Sequence, residues 1–255
     1  MITEKTTETL FITGAGISAE SGIPTFRGVD GFWTVGSRHY TPQQMATRRM
    51  YQEQPAEFLL WYYRRFAQYR HCQPNDVHLW LKDRRLITQN IDGLDGKAGH
   101  RHYIPIHGRL DKVTVLHEQG EPVALLNAPW DEEALSNVPE GDDEQLKRLL
   151  LDFFRISSTT QAPEINTSLK PFVLLFDEYY TPLYRISQAQ QWMQEATTFV
   201  FMGTSLSVGI TEMALNMAAM NKADIHIVDP QPVDLQDAQV RHHLMTAEEY
   251  IAHVF

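Results

Sequence analysis

Cysteine is nearly absent from this sequence, since Cys72 is the only one among 255 residues. A single thiol can form neither an intramolecular disulfide nor a zinc site made of cysteines. Cys72 lies in a polar stretch that continues into Gln73 and Pro74, which differs from the strand-to-turn context of a nucleophilic cysteine. We therefore interpret it as incidental.

Long apolar segments are also lacking. No run of about 18 apolar residues occurs, so the sequence predicts no membrane-spanning helix. Residues 1–5 lack the basic region and the apolar stretch that begin a secretory signal. We therefore expect a cytoplasmic protein with no membrane partner.

Basic residues are outnumbered by acidic ones: 22 Lys and Arg stand against 32 Asp and Glu, a formal net charge of -10. Binding to nucleic acid needs a basic surface that releases counterions, so we expect no nucleic-acid partner. The acidic surface is compatible with a basic peptide partner, although solubility alone also accounts for it.

Several short apolar runs end in small or polar residues, as buried parallel strands do. These runs are residues 9–13, 86–88, 172–176, 198–202 and 225–228. Helical patterns lie between them, at residues 17–21, 184–196 and 210–221. The alternation predicts an α/β fold with a parallel sheet, in which ligands bind beyond the carboxyl ends of the strands.

Two stretches interrupt this alternation and predict a smaller inserted lobe made of residues 31–75 and 111–170. The first contains a possible aromatic helix at residues 55–70. The second contains an apolar stripe at helical spacing, formed by Leu146, Leu149, Leu150 and Phe153. The larger domain is then made of residues 1–30, 76–110 and 171–255.

The first predicted strand continues into a glycine turn, Gly14-Ala15-Gly16-Ile17-Ser18-Ala19. This G-x-G-x-x-A pattern lets a backbone approach a pyrophosphate at a helix N-terminus, although a tight strand-to-helix turn reads the same. Pro24 and the glycines around it then form a loop where a dehydrogenase would place its second strand. In this loop Phe26 and Arg27 could cover a cofactor, or the loop could simply lie on the surface.

The segment 14–28, followed by Asp30-Gly31-Phe32-Trp33, resembles the signature of the sirtuin family. The resemblance continues at residues 88–94 (TQNIDGL), at Ile106-His107-Gly108 and at residues 203–206 (GTSL). It implies an NAD-dependent protein lysine deacylase with a Rossmann-like domain and a smaller lobe. Some members of that family transfer ADP-ribose or hydrolyse NAD instead.

The resemblance also implies roles for individual residues. His107 accepts a ribose proton, Asn90 orders water and ribose, and Asp92 binds the nicotinamide carboxamide. A histidine with a pKa near the usual value of about 6.5 suits that task at neutral pH. The implied NAD contacts are Gly14, Ala15, Gly16, Ala19, Ile23, Phe26, Arg27, Gln89, Ile91, Gly203, Thr204, Ser205, Asp229 and Ala247. Asp229 stands where the family usually has asparagine.

Zinc is the clearest departure from the family pattern. Sirtuins usually carry two Cys-x-x-Cys pairs, and here the first pair falls near Leu116 and Gln119 and the second within residues 157–166, without any cysteine. We expect no zinc, and we expect the apolar stripe of residues 146–153 to stabilise the small lobe instead.

Two further departures concern the substrate. Family members that prefer acidic acyl chains carry Tyr-x-x-Arg, where this chain has Trp61 and Arg64. The pair could line an acyl pocket, or Trp61 could lie in the core with Arg64 solvated. The resemblance also implies a peptide bound as an added strand along Phe176-Asp177-Glu178 and along residues 205–210, including Val208. Asp177 replaces a glycine of the family and Ile210 a proline.

The sequence thus predicts deacylation of an acylated protein or peptide, with NAD consumed to nicotinamide and an acyl-ADP-ribose. ADP-ribosyl transfer and NAD hydrolysis are alternatives that share the cleavage of nicotinamide. A non-catalytic sensor of NAD or ADP-ribose has no need for Asn90, Asp92 and His107 together. A hydride-transferring dehydrogenase fits least, because of the loop that follows Ser21.

Overall fold

The computed structural model describes residues 9–25, 40–131, 133–232, 235 and 240–253. The described strands are β1 (Thr9–Thr13), β2 (Arg85–Thr88), β3 (Ile104–Pro105), β4 (Gly108–Val115), β5 (Leu126–Asn127), β6 (Leu169–Val173), β7 (Thr198–Met202), β8 (Asp224–Val228) and β9 (Val240–His243). The α-helices are α1 (Pro42–Met45), α2 (Arg48–Glu53), α3 (Pro55–Tyr69), α4 (Asp76–Leu81), α5 (Leu94–Lys97), α6 (Glu133–Ser136), α7 (Asp143–Phe153), α8 (Ile186–Glu195), α9 (Gly209–Asn221) and α10 (Ala247–His253). Short 3-10 helices occur at Ala15–Ser21, Pro129–Asp131 and Pro182–Tyr184.

The chain divides into two compact units. Unit 1 comprises residues 1–25, 72–107 and 184–255, and unit 2 comprises residues 26–71 and 108–183. The sequence had placed residues 171–183 in the larger domain, whereas they belong to unit 2 in the structure. The reason is strand pairing, because β6 pairs with β4, which lies in the same unit.

Unit 1 is built on a six-stranded sheet in the order β3-β2-β1-β7-β8-β9. Every neighbouring pair in this sheet is parallel, which confirms the predicted parallel α/β sheet. β1 and β7 lie at its centre, and their last four residues are buried. One core cluster of this unit brings together Phe11, Ile17, Val77, Leu86, Tyr103 and Met202 with buried residues of α4, β7, β8 and α10.

Unit 2 contains a three-stranded antiparallel sheet in the order β5-β4-β6. The prediction of a parallel strand at residues 172–176 is therefore wrong, since β6 ends at Val173 and runs antiparallel to β4. An apolar run shows that a strand is buried, but it does not determine which strand will pair with it.

The core of unit 2 is aromatic and centres on Trp130. The indole is fully buried, its ring lies 4.5 Å from that of Phe154, and its Nε1 donates to the carbonyl of Leu110 at 2.7 Å. Tyr63 and Phe66 of α3 contribute rings at 6.3 and 6.1 Å. A packed aromatic cluster of this kind contributes a hydrophobic core to a small lobe.

The predicted apolar stripe of α7 forms only in part. Leu150 is buried, but Leu146, Leu149 and Phe153 are partly exposed. Leu151 and Phe154 are buried in their place, so the buried face is rotated slightly from the predicted one.

The segments where the family carries cysteine pairs are joined by backbone hydrogen bonds. The amide of Leu116 donates to Ser168 at 2.7 Å, and the amide of Asn166 donates to Leu116 at 2.7 Å. The main chain itself therefore connects these two segments of unit 2.

Candidate functional site

Residues at the carboxyl ends of neighbouring strands meet at one edge of the sheet in unit 1. The amide of Gly14, after β1, donates to Met202 at 3.1 Å, and the amide of Gln89, after β2, donates to Thr13 at 2.9 Å. The amide of Gly203, after β7, donates to Val228 at 3.0 Å. The sheet thus brings together the glycine turn, residues 89–92 and residues 203–205, as the sequence predicted.

The glycine turn packs directly on the backbone that follows β7. A Cβ added to Gly16 would lie 2.5 Å from the Cα of Gly203. A Cβ added to Gly14 would lie 2.8 Å from the carbonyl oxygen of Gly203. The amide of Gly16 also donates to that carbonyl at 2.9 Å. Close backbone approach accordingly requires these glycines, whether or not a pyrophosphate binds beside them.

Asn90 is buried and its side chain is held in one orientation. Its Nδ2 donates to the carbonyl of Gly14 and to Ser18 Oγ, both at 3.1 Å, and its backbone amide donates to Thr88 Oγ1 at 3.2 Å. Its Oδ1 is buried and has no hydrogen-bond partner among the described residues. A buried acceptor without a donor costs about 1–3 kcal/mol, so the geometry fits a ligand that donates a hydroxyl there, as a ribose does.

Asp92 belongs to a polar chain that the sequence did not reveal. Ser18 Oγ donates to Asp92 Oδ2 at 2.8 Å, and the amide of Leu94 donates to Oδ1 at 2.9 Å. Ser18 Oγ also lies 3.4 Å from His78 Nε2, and His78 Nδ1 lies 2.8 Å from Asn75 Oδ1. Burial raises the pKa of Asp92, which the hydrogen bonds from Leu94 and Ser18 partly oppose.

His78 is fully buried, and burial lowers its pKa to about 4. Sequence reasoning does not single out His78, and the structure shows that it contacts Ser18 from α4. The available signal was the spacing of Asn75 and His78, because these two residues form a capping box.

Asp95 is a second buried carboxyl group near Asp92 and was also missed. Burial and then the neighbouring charge of Asp92 raise its pKa to about 8, and a hydrogen bond from Thr88 lowers it slightly. A carboxyl group in such a setting is protonated at neutral pH. Nothing in the residue pattern distinguishes it from a solvated helix residue.

His107 is partly buried and tethered to the same edge. Its Nδ1 lies 3.1 Å from the backbone carbonyl of Gln89. A carbonyl only accepts, so Nδ1 carries the proton and Nε2 is the basic nitrogen. Burial lowers the pKa of His107 to about 4, with a smaller opposing effect of the Gln89 carbonyl, so the imidazole is neutral at physiological pH.

Gln89 links two strand ends. Its Nε2 donates to the carbonyl of Thr13 at 3.1 Å and to Thr204 Oγ1 at 2.9 Å. Ser205 Oγ lies 2.7 Å from Ser207 Oγ. Asp229 follows β8, where its Oδ1 accepts from the amide of Gln231 at 2.8 Å.

The remaining predicted NAD contacts differ in exposure. Ile23 and Ala247 are buried, Ala15 and Ile91 are partly exposed, and Ala19 is exposed. Ala247 packs in the core cluster with Phe11 and Ile17. Phe26 and Arg27 lie outside the described residues.

In unit 2, Trp61 and Arg64 of α3 have different surroundings. Trp61 is buried, whereas Arg64 is exposed and forms an ion pair with Asp143 of α7. Arg65, not Arg64, places its guanidinium over the Trp61 ring, with Cζ 3.4 Å from the ring centroid. These contacts favour the second interpretation of the pair, with Trp61 in the core, and a role of the two residues in acyl binding stays a prediction.

In the segment 176–178, the predicted peptide-binding segment of unit 2, two of the three side chains are hydrogen-bonded to other parts of the unit. Phe176 is 56% exposed, but Asp177 accepts from backbone amides at the start of α2 and Glu178 is buried in ion pairs. A peptide that binds here would therefore meet the backbone and the Phe176 ring. Val208, in unit 1, is the partly exposed residue that precedes α9.

Metal-ligating side chains do not gather in the described parts of either unit: no group of three or more His, Cys, Asp or Glu residues there could hold a metal ion. His117 is turned to the backbone, with its Nδ1 2.9 Å from the carbonyl of Val115. The residues present do not fit a tetrahedral zinc site.

Among the residues that the structure describes, no helix is long and apolar enough to cross a membrane.

Comparisons with a family model, with related sequences and with solved structures all point to one family. A family model described as the Sir2 family matches residues 14–209. An NAD-dependent protein deacylase of Bacteroides thetaiotaomicron is 30% identical over 237 residues, which cover 91% of this chain and 88% of that protein. NAD-dependent protein deacylase 1 of Caldanaerobacter subterraneus is 34% identical over 207 residues, covering 78% and 73%. The solved structure of a Sir2 homolog–NAD complex superimposes with a TM-score of 0.70 at 25% identity, covering 100% of this chain and 93% of that one.

Proposed function

The chain belongs to the Sir2 family, and we propose that it is an NAD-dependent deacylase of acylated lysine in proteins. NAD is its co-substrate and is consumed in the reaction. The observation that carries the proposal is the arrangement in unit 1. There the Oδ1 of Asn90 is buried and receives no donor from the described part of the chain, and it lies beside the Ser18–Asp92 hydrogen bond.

Asp92 and Asn90 are the residues that we assign to the cleavage of nicotinamide. Asp92 is fixed by two hydrogen bonds, so it can bind the carboxamide of nicotinamide in one orientation. Asn90 Oδ1 accepts from a hydroxyl of the ribose. Interactions that are in place before the reaction stabilise developing charge without a cost of reorganisation.

His107 is the residue that we assign to proton transfer. The amide oxygen of the acyl-lysine would bond to the ribose carbon as the bond from that carbon to nicotinamide breaks. A ribose hydroxyl would then lose its proton to His107 Nε2 and attack the acyl carbon. The imidazole is neutral at physiological pH because burial lowers its pKa, so it is ready to accept that proton. One water molecule would be consumed as the bond between the acyl carbon and the lysine nitrogen breaks, so that the lysine amine leaves and the acyl ester stays on ADP-ribose.

The protein partner is an acylated protein or peptide, and the segment 176–178 of unit 2 is proposed to bind it. The acidic chain, with a net charge of -10, favours a substrate whose flanking residues are basic. A cytoplasmic location and the absence of nucleic-acid and membrane partners stay predictions.

The test measures nicotinamide release and peptide mass after incubation with NAD, with and without an acetyl-lysine peptide. Nicotinamide release that requires the peptide, together with loss of the acetyl mass, supports the proposal. Release without peptide indicates an NAD hydrolase, transfer of ADP-ribose mass to the peptide indicates a transferase, and no release indicates a sensor.

His107→Ala is the informative variant and His102→Ala is its control, because His102 is an exposed histidine of the same unit. We expect the first to lose deacylation while it still binds NAD, and the second to keep full turnover. Full turnover by His107→Ala would contradict the assignment of this residue.

A further inference from the structure

The segment 175–179, called here the clamp turn, follows directly on β6 in unit 2. β6 is an edge strand of the described sheet, because it pairs with β4 alone. Phe176 and Tyr179 are 56% and 58% exposed, and Asp177 is also exposed, whereas the side chain of Glu178 is buried. The clamp turn therefore exposes the rings of Phe176 and Tyr179 to solvent, while hydrogen bonds and ion pairs hold its backbone in place.

Asp177 provides the first anchor. Its Oδ1 accepts from the amide of Arg48 at 2.6 Å and its Oδ2 from the amide of Arg49 at 3.0 Å. These amides begin α2, where backbone N–H groups have no partner within the helix. A carboxylate that is distant in sequence thus caps α2 and fixes the clamp turn to it.

Glu178 provides the second anchor. Its Oε2 accepts from Lys170 Nζ at 3.0 Å and from the amide of Leu175 at 3.1 Å, and its Oε1 lies 3.1 Å from Arg48 Nη1. The side chains of Lys170 and Glu178 are each only 3% exposed. The same Arg48 guanidinium donates to the carbonyl of His117.

The flanks of the clamp turn are held as well. The amide of Phe176 donates to the carbonyl of Ala46 at 3.0 Å. The amide of Tyr179 donates to Gln119 Oε1 at 3.0 Å, and its hydroxyl donates to the Gln119 carbonyl at 2.9 Å. Backbone or side-chain groups of Leu175, Phe176, Asp177, Glu178 and Tyr179 are thus all bonded.

Stability alone does not account for buried charges at this place. Replacing a buried ion pair by apolar side chains of similar volume is often neutral or stabilising, because desolvation offsets the attraction between the charges. What the charges add is a single backbone conformation. Binding of a peptide to a segment that is already ordered avoids the entropic cost of ordering it.

We propose that Asp177 and Glu178 are positioning residues for the acylated peptide, because they fix the clamp turn in its peptide-binding conformation. Neither side chain touches the substrate; Asp177 acts through the start of α2, and Glu178 acts through Lys170 and Arg48. The inference rests on the proposed function, since it takes the clamp turn as the peptide-binding segment of unit 2.

The experiment measures two affinities: the Kd of a fluorescent acetyl-lysine peptide by anisotropy, and the Kd of NAD by calorimetry. Asp177→Gly removes the cap and should weaken peptide binding about tenfold, since loss of a helix cap costs enough to change an equilibrium by that factor. The Kd of NAD should stay within about twofold, because Asn90 and Asp92, which are assigned to NAD, lie in unit 1 and keep their contacts. Asp177→Asn keeps one acceptor oxygen and should restore most of the affinity.

Asp142→Gly is the matched control. Asp142 caps α7 in the same unit through the amide of Gln145 at 3.0 Å, so its loss removes a comparable hydrogen bond away from the clamp turn. We expect this variant to bind the peptide like the wild type. Glu178→Gln keeps an acceptor for the Leu175 amide but loses the charge, and it should also weaken peptide binding.

Unchanged peptide affinity in folded Asp177→Gly would overturn the inference, and so would an equal loss in Asp142→Gly. In both cases the proposed function stands if the wild type binds and deacylates the peptide. If the wild type binds no acylated peptide, the proposed function fails first and the inference fails with it.

Discussion

His107 is tied to Gln89 by a hydrogen bond from its Nδ1 to the backbone carbonyl, at 3.1 Å. This bond makes Nε2 the basic nitrogen of a ring that burial keeps neutral, with its pKa lowered to about 4. Gln89 in turn donates to Thr13 and Thr204. One residue therefore sets the tautomer of the base and also joins two strand ends.

The pH dependence of turnover follows from this arrangement. Because His107 acts in its neutral form, kcat/KM should stay level as the pH falls through the usual histidine value of about 6.5. It should decline only as the pH approaches the pKa of about 4. A pH profile measured with the wild type checks this, and an acidic limb centred near the usual histidine pKa would contradict it.

Asp95 gives a prediction about stability. Its folded-state pKa is raised to about 8, so between its unfolded and folded pKa values the folded state binds a proton that the unfolded state lacks. The free energy of unfolding of the wild type therefore falls as the pH rises through this window. Asp95→Asn has no carboxyl group at this position, so its free energy of unfolding does not fall for this reason. Relative to the wild type, Asp95→Asn should gain about 4 kcal/mol in the free energy of unfolding between pH 5 and pH 8.5.

Urea unfolding of Asp95→Asn at the two pH values measures this gain. Asp83→Asn is the control, because Asp83 is an exposed carboxylate of the same unit. A difference between wild type and Asp95→Asn that does not change with pH would show that Asp95 is ionised in the folded protein.

Gly16→Ala tests the contact between the glycine turn and Gly203. The added methyl group would lie 2.5 Å from a backbone carbon, which no side-chain rotation can relieve. We expect a loss of about 1–3 kcal/mol in the free energy of unfolding, with weaker NAD binding. Gly209→Ala is the control, since a Cβ there meets nothing within 4 Å; equal effects of the two changes would refute the packing argument.

Arg64→Ala tests the acyl pocket. The Arg64 and Asp143 side chains are 57% and 39% exposed, and an ion pair of this kind contributes about 0–1 kcal/mol. We expect KM for acetyl-lysine and succinyl-lysine peptides to change by less than about twofold. A selective rise in KM for the succinyl peptide would instead place Arg64 in the acyl pocket.

Zinc independence is tested by chelation. The core around Trp130 stabilises unit 2, so a chelator should leave the thermal unfolding temperature unchanged and the purified protein should contain little zinc. Trp130→Phe, which loses the hydrogen bond to Leu110, should cost about 1–3 kcal/mol. Near-stoichiometric zinc, or unfolding on chelation, would show that the cysteine-free lobe binds metal by other ligands.

Much of unit 1 could be predicted from the sequence. β1 and β7 have the predicted bounds, because a buried parallel strand is a continuous apolar run that ends where polar loop residues begin. β3 and β9 were missed, since one has two residues and the other reads Val-Arg-His-His. Edge strands of this kind form because they pair with a neighbouring strand, and their own residue pattern does not predict them.

Local patterns and motif spacing were enough to predict the family, the parallel sheet and the set of residues that follow its strands. Only the folded structure reveals the pairing of β6, the chain from His78 through Ser18 to Asp92, and the contacts of Asp177 and Glu178. Each of these depends on groups far apart along the chain, whose burial and hydrogen bonds come into being only when the backbone has folded around them.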